Sequence, residues 1–415
     1  MDVLVDRCAA LDVHKDQLTA CVRRWKAGGR RERESETRTF STMLASLRVL
    51  RAWLVSEGVS VVGMEATGVY WKPVWYELED AEAFELKLLN PTHVKAVSGR
   101  KTDVRDAQWL AKLIECDMVD GSFVPPRAVR ELRDVTRYRR RVVESGARER
   151  QRLQKLLEDA QVKLDSVVDD VTGVSARLIL NALCDGERDP EMLADLAKAK
   201  LRRKIPQLRE AVPGRFNDHH AVLVRELLAH IDYLAGVESR LDARVDELIA
   251  PFAAARELLM TMPGVARRTA ENVIAEIGVD MGQFPTAQHL ASWAGMCPGN
   301  DESAGKRRSG KTRKGDPWLQ STLVEAAWAA ARTRGTSMQT RFWRLAKRRG
   351  QKKAIYAVAH HLLIIMWWIL HDHVPYSEMG DDYLQHRIDP VRRQKQLIRQ
   401  LEQLGVTVTI QHAAA

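Results

Sequence analysis

Cysteine is scarce in this chain. Its 415 residues hold five (Cys8, Cys21, Cys116, Cys184 and Cys297), odd in number, scattered, and never in a Cys-x-x-Cys pair. Neither a disulfide framework nor a cysteine zinc site is supported, which fits a reducing, cytoplasmic setting. No secretory signal opens the chain, since Met1-Asp-Val-Leu-Val-Asp6 carries acids where a basic n-region should stand. Long apolar runs are nearly missing too. The strongest, Ala354 to Leu370, is about 17 residues, marginal for a bilayer, and His360-His361 interrupts it, so it reads as a buried core helix. No repeat of about 20–50 residues is evident. Acids are outnumbered, 55 against 65 Lys and Arg, for a formal charge of +10 and a pI near 9.4. That surplus points to a polyanionic partner, nucleic acid ahead of a membrane surface. The hydrophobic fraction of 45% and charged fraction of 29% are those of an ordinary soluble globular protein, long enough for two or three domains.

What the chain does have is a set of carboxylates at element ends. Asp103 and Asp106 stand three apart in a helical pattern that continues through Ala107, Trp109, Leu110, Leu113 and Ile114. Residues i and i+3 share a helix face, so the two like charges need a proton or a cation between them. Lys101 and Arg105 could supply it at an ordinary helix start. Upstream, however, Asp12 ends the apolar run Cys8–Leu11, and Glu65 ends Val59–Met64. Four carboxylates from three elements can converge at one sheet edge, an oxygen-only set of the kind Mg²⁺ prefers.

The pattern along the chain predicts four segments. Residues 1–126 alternate strands (Cys8–Leu11, Gln17–Arg24, Thr37–Phe40, Val59–Met64, Phe84–Leu89) with helices: one capped by Ser41, one over Thr67–Glu79, one carrying Asp103 and Asp106. A charged turn is expected over Arg30–Glu36. An α/β domain with a mixed sheet follows. Residues 127–250 read as long helices. Leu153, Leu156, Ala160, Leu164 and Val167, then Leu223, Leu227, Ile231, Leu234, Val237, Leu241, Val245 and Leu248, give coiled-coil-like seams that could pack within the chain or between protomers. Residues 251–374 read as mostly helical, and 375–415 as a polar tail with a helix near Val391–Leu404.

Basic surfaces fall in the second and third segments. Arg137, Arg139, Arg140, Arg141, Arg148, Arg150 and Arg152 crowd one helix, and Arg139 and Arg140 are candidates for nucleic-acid contact. Met262-Pro-Gly264-Val265 followed by a helix from about Thr269 has the helix-hairpin-helix form, whose turn can seat a phosphate at Gly264. The glycine-rich stretch 293–315 carries Lys306, Arg307, Arg308, Lys311, Arg313 and Lys314, which can wrap a phosphate backbone. Its two serines, Ser303 and Ser309, could attack a phosphodiester, although composition alone makes them filler in a solvated basic loop. Further cations from Arg341 to Lys353 enlarge the basic surface. His219-His220 and His371-Asp-His373 lack a full metal-ligand set.

Together these residues resemble a DEDD-type insertion-sequence transposase of the bridge-RNA-guided serine-recombining group. One block (Leu11-Asp12-Val-His-Lys15, Gly63-Met-Glu65-Ala-Thr-Gly68, Asn90-Pro91, Lys101-Thr-Asp103 to Asp106-Ala107) is similar to that family's ribonuclease H-like, Holliday-junction-resolvase-like N-terminal domain. The other (Met262-Pro-Gly-Val265, Trp293-Ala-Gly295 with Pro298, Ser303-Ala-Gly-Lys306, Lys314-Gly315, Leu319) is similar to its C-terminal transposase domain. The resemblance implies that Asp12, Glu65, Asp103 and Asp106 hold Mg²⁺ (or Mn²⁺), and that Ser303 is the nucleophile. The family reads Ser-Gly-Gly where this chain has Ser-Ala-Gly, and Ser309 stays open as the alternative. It further implies DNA and a noncoding guide RNA as partners, a homo-oligomer (dimer or tetramer), and a bacterial cytoplasm with nucleoid association when active. Two alternatives stay open: a metal-dependent resolvase-like nuclease using water, and a non-catalytic nucleic-acid scaffold.

Overall fold

The computed structural model describes residues 3–26, 32–66, 68–91, 103–299, 301–303, 306–309, 312, 314–382 and 390–409, with backbone placement alone at 103–105, 301–303, 306–309, 390, 392–393 and 396. Thr67, Lys101, Lys311 and Arg313 therefore lie outside the described residues. The chain divides into two compact units, Met1–Val124 and Pro125–Ala415.

The first unit is a six-stranded mixed sheet with helices on both faces. Strands β1 (Cys8–Val13), β2 (Gln17–Trp25) and β3 (Arg33–Ser41) form an antiparallel meander; β4 (Val61–Glu65) and β5 (Glu85–Leu89) extend it in parallel beyond β1; β6 (Gly121–Ser122) closes the edge, giving the order β3-β2-β1-β4-β5-β6. The expected charged turn is shorter than its sequence suggests, because Arg33 to Glu36 belong to β3, where Arg24 of β2 pairs with Glu34 and Glu36. Helix α1 (Leu44–Ser56) begins two residues after the expected cap: Met43 is the N-cap, and Ser41 Oγ accepts from the Met43 N–H at 3.1 Å. Helix α2 (Trp71–Glu79) starts later than expected, after Gly68 at φ +55°. Leu47, Leu50, Trp53 and Leu54 of α1, with Val74, Trp75 and Leu78 of α2, bury one sheet face made by Ala9, Leu11, Val13, Val62 and Met64. Helix α3 (Asp103–Glu115) buries the other, placing Ala107, Leu110, Ala111 and Ile114 on Cys8, Ala10, Val61 and Leu89. Strand pleating separates the two sets, since successive side chains alternate between faces.

The second unit is helical. Helices α4 (Arg127–Asp159) and α8 (Asp218–Ile249) run antiparallel, as Arg139 meets Asp242, Glu149 meets His230 and Asp159 meets His220. Between them α5 (Val174–Cys184), α6 (Pro190–Asp195) and α7 (Ile205–Ala211) cover the tip of the pair. The apolar seam is thus filled within the chain: Leu153, Leu157 and Ala160 pack with Ala221, Val224, Leu228 and Ile231. The heptad expected for α8 is off by one at its start, where Val224 and Leu228 are buried and Leu223 is 39% exposed. A helix of 3.6 residues per turn drifts against a strict heptad, and the seam follows the helix.

The rest of the unit comprises α9 (Ala253–Met260), α10 (Arg267–Ile277), α11 (Ala287–Trp293), a hairpin β7 (Asp301–Ser303) and β8 (Lys306–Ser309), α12 (Pro317–Arg332), α13 (Ser337–Arg349), α14 (Gln351–Asp372) and α15 (Pro390–Gln403). Helix α14 has the length and hydropathy of a membrane span, but 56% of its apolar window is buried inside the unit. Its Ala354, Val358, Leu362, Met366 and Trp367 are in the core, and Trp367 Nε1 donates to the Phe284 carbonyl at 3.0 Å. No boundary separates 127–250 from 251–374. Helix α4 packs on α10, and Arg133 of α4 donates to the Ala275 and Glu276 carbonyls at 2.9 and 2.5 Å.

The Pro263-Gly264 turn joins α9 to α10 with Gly264 at φ +80°, and a Cβ there would lie 2.4 Å from the Ala326 carbonyl oxygen of α12. Gly264→Ala is therefore expected to destabilise the chain by about 2–4 kcal/mol, from left-handed strain plus the clash. Gly335→Ala, at φ +71° with nothing within 4 Å, should cost only about 1–2 kcal/mol. Urea unfolding of both variants measures the difference.

Candidate active site

Asp12 and Glu65 reach one edge of the sheet by register. Strands β1 and β4 pair in parallel with Leu11 opposite Met64, so the next residues on each strand are Asp12 and Glu65. The alternation that sends Leu11 and Met64 toward α1 and α2 assigns Asp12 and Glu65 to the face that α3 covers. Helix α3 runs against β1: the N–H groups of Leu4 and Val5 donate to the Glu115 carbonyl at 3.0 and 3.1 Å, and Cys8 Sγ to the Ala111 carbonyl at 3.4 Å. Its C-terminus is pinned at the start of β1, so its N-terminus, with Asp103 and Asp106, lies toward the carboxyl ends of β1 and β4.

This edge opens into a cleft of about 720 Å³ lined by Asp12, Val13, His14, Lys15, Asp16, Gln17, Gly68 and Tyr70. Asp12 is largely buried, its side chain 13% exposed, and its Oδ2 lies 3.4 Å from Nε2 of His14. His14 stands one residue past the end of β1, where no strand periodicity marks it in the sequence. The donor chemistry, oxygen ligands at a strand-end cleft, suits a hard divalent cation. Among the described residues, however, no three His, Cys, Asp or Glu side chains stand close enough to hold a metal ion, and the side chain of Asp103 lies outside them.

Ser303 lies in the second unit. It ends β7 and pairs with Lys306, which begins β8, while Ser309 pairs with Asp301 at the other end of the hairpin. The stretch expected as a solvated loop is thus a hairpin with a fixed base. Pro298 bridges to Thr312. A Cβ on Gly315 would lie 2.2 Å from the Ala294 carbonyl carbon and oxygen, so glycine allows the two backbones to touch. Gln320 Nε2 donates to the Ala294 carbonyl at 2.7 Å and Tyr356 Oη to the Gly295 carbonyl at 3.2 Å. Asp316 then caps α12, accepting from the N–H groups of Trp318 and Leu319 at 2.8 and 3.1 Å.

Behind that base sits a buried ionic cluster. Arg137 forks onto Glu276 at 2.8 and 2.7 Å and reaches Asp316 at 3.1 Å. Burial pushes the Glu276 carboxyl up to about 7, and the neighbouring Asp316 carboxylate adds to that, against the pull of Arg137 and Arg133. Helix α4 thereby fastens the start of α12 through its arginines.

Three positions expected to contact nucleic acid are engaged within the fold. Arg139 is 4% exposed and bonded to Asp242, Glu271 and Asn272 at 2.9, 2.8 and 3.2 Å, so its charge is consumed inside the fold. Arg140 is bonded to Glu325, Glu144 and Thr322. The turn at Gly264 is explained by its closeness to α12, and the first-turn cations of α10 are engaged: Arg267 with Asp246 and Glu271, Arg268 with Glu238 and Asp242. Lys314 is exposed; Lys306, Arg307 and Arg308 have their backbone in β8.

Comparison with known proteins finds two family matches along the chain. A DEDD transposase model of the IS110 group matches residues 9–161, and the model of the transposase IS116/IS110/IS902 family matches residues 256–342. Two curated relatives, the pilin gene-inverting proteins of Moraxella bovis and Moraxella lacunata, are each 29% identical over 125 residues, 29% of this chain and 38% of theirs.

Two outcomes follow from the cluster and from Arg139. The raised Glu276 pKa means that the folded state holds a proton the unfolded state has released, so its contribution is present at low pH and fades as pH rises from 4.5 toward about 7. Thermal midpoints of the parent chain should therefore fall, relative to Glu276→Gln, between those values and run level above them. Arg139→Ala, which takes from the buried Glu271 one of its two arginines and leaves it Arg267 alone, should cost about 1.5–3 kcal/mol in urea unfolding.

Proposed function

Because the chain belongs to the DEDD-type insertion-sequence transposases, we propose that it is a DNA transposase that cuts and rejoins strands with Ser303 as nucleophile. Asp12, Glu65, Asp103 and Asp106 would hold the divalent metal, Mg²⁺ or Mn²⁺, and an element-encoded RNA would choose the target. The observation that carries this is the register of β1 on β4: it brings Asp12 and Glu65 to one edge and one face, where the N-terminus of α3 also arrives. A mixed sheet with acids at its carboxyl edge supports the ribonuclease H-like assignment of the first unit. The relatives are named for inverting a pilin gene, an outcome that needs DNA strands both broken and rejoined.

Each residue has a distinct task. Ser303, carried at the end of β7, presents an oxygen that attacks phosphorus; a bridging P–O bond breaks, the leaving oxygen takes a proton, and a phosphoseryl ester conserves the bond for rejoining. A divalent cation held by the acids supplies charge stabilisation to the phosphate oxygens when bound. His14 orients Asp12, and the cations of β8 hold flanking phosphates. The acids lie in the first unit and the serine in the second, so the proposed reaction needs both units, whether supplied by one protomer or by a dimer or tetramer. The seam between α4 and α8 is filled within the chain, so protomers would meet through other surfaces.

Purified chain, incubated with its element-end DNA, its RNA and Mg²⁺, should yield a covalent protein–DNA adduct resolved on denaturing gels. Ser303→Ala should remove the adduct and cut strand exchange by roughly 10³-fold or more, while Ser309→Ala keeps both. Asp12→Asn and chelation by EDTA should each abolish cleavage. Undiminished cutting by Ser303→Ala would establish the water-using nuclease instead, and full activity of Asp12→Asn the non-catalytic scaffold.

A further inference from the structure

The basic stretches of the sequence meet different fates. On α4, Arg127, Arg133, Arg137, Arg139, Arg140 and Arg152 each end on a carboxylate. Helix α13 (SMQTRFWRLAKRR) carries five cations and no acid. Among the described residues, no ion pair engages its exposed Arg344, Lys347, Arg348 and Arg349, or the exposed Lys352 and Lys353 that open α14. The same surface exposes an indole: Trp343 is 51% exposed, while Met338 and Phe342 on the opposite side are buried.

We propose that this surface binds single-stranded nucleic acid, with Trp343 stacking on a base and Arg344, Lys347 and Arg348 holding the flanking phosphates. The proposal rests on the nucleic-acid function argued above and adds a site to it. Positions 343, 344, 347 and 348 form one continuous arc on a helix, so the indole and three cations share a patch. The indole is held in place from behind, in edge contact with Phe342 at 5.1 Å, which in turn meets Trp328 at 5.6 Å. Little side-chain freedom is left to lose on stacking.

A structural explanation covers only part of the pattern. Cations in the last turn of α13 suit the negative end of its dipole, which accounts for Lys347, Arg348 and Arg349. It does not account for Arg344 or for an exposed Trp343 a turn earlier. Lys352 and Lys353 stand in the first turn of α14, the positive end, where cations are disfavoured. Cations crowded against a positive helix end, without acids, are what an anionic ligand relieves. Trp343 is a single large apolar residue, too little for insertion into a bilayer, whereas one aromatic face among phosphate-binding cations is what an unpaired base requires. A duplex keeps its bases stacked and offers only the phosphates.

The test uses the full chain and fluorescence anisotropy, with a labelled oligo(dT) of about 20 nucleotides, longer than a single-module site, and a duplex of equal length. Trp343→Ala should weaken oligo(dT) binding roughly 5- to 150-fold and leave duplex binding unchanged; Trp343→Phe should retain most of the affinity. Replacing Arg344, Lys347 and Arg348 by Gln together should lower the slope of log K against log salt for oligo(dT) by about 2. All these positions are exposed, and unchanged melting of the variants confirms their fold. Oligo(dT) bound equally by Trp343→Ala and the parent chain would overturn the proposal, as would equal losses on duplex, or Trp343-dependent binding to phosphatidylserine vesicles alone. Absence of binding to any nucleic acid would also overturn the transposase function, whereas binding that ignores Trp343 would not.

Discussion

Parallel pairing of β1 with β4 is the constraint on which the candidate chemistry depends. A strand has a side-chain period of two, so a slip of one residue would send Asp12 to the α1 side of the sheet and leave Glu65 alone on the other. The register is held by burial. Ala9, Leu11, Val62 and Met64 fill one core while Cys8, Ala10 and Val61 fill the other, and no shifted pairing buries both sets. The same packing fixes the direction of α3, whose apolar stripe must lie on Cys8, Ala10 and Val61. Carboxylates that could repel one another are thus brought to one edge by hydrocarbon contacts a turn or two away.

The second unit is organised by charge as much as by hydrocarbon. Arg133, Arg137 and Arg139 project from one long helix into carboxylates of α8 and α10 and the cap of α12. Burying such ions is costly unless each is paired, and removing one partner strands the other. The consequence is mechanical. Asp316 begins α12, so the clasp on Asp316 fastens the start of that helix to the long helix α4.

Electrostatic accounting also separates structural cations from functional ones. The chain is basic overall, yet much of the positive charge on α4 is cancelled inside the fold. Among the described residues, exposed cations outside any ion pair include Arg141 and Arg148 of α4, Lys198, Lys200, Arg202 and Arg203 ahead of α7, and the exposed cations of α13 and the start of α14.

The sequence alone determined the kinds of element and the chemistry they carry. Alternation in Gln17–Arg24, the three-and-four spacing of Leu44, Leu47, Leu50 and Leu54, and the acids that end two apolar runs are local facts, and local facts survive folding. It could not tell a used arginine from a free one. Arg139 and Arg344 look alike in the chain and differ only in whether Glu271 and Asp242, more than a hundred residues away, arrive beside them. Nor could it set the edge of a helix cap at Met43, extend β3 back to Arg33, or separate an intrachain seam from an interchain one. Those were decided by tertiary structure, because pairing, burial and register are properties of two segments at once, and no single segment carries them.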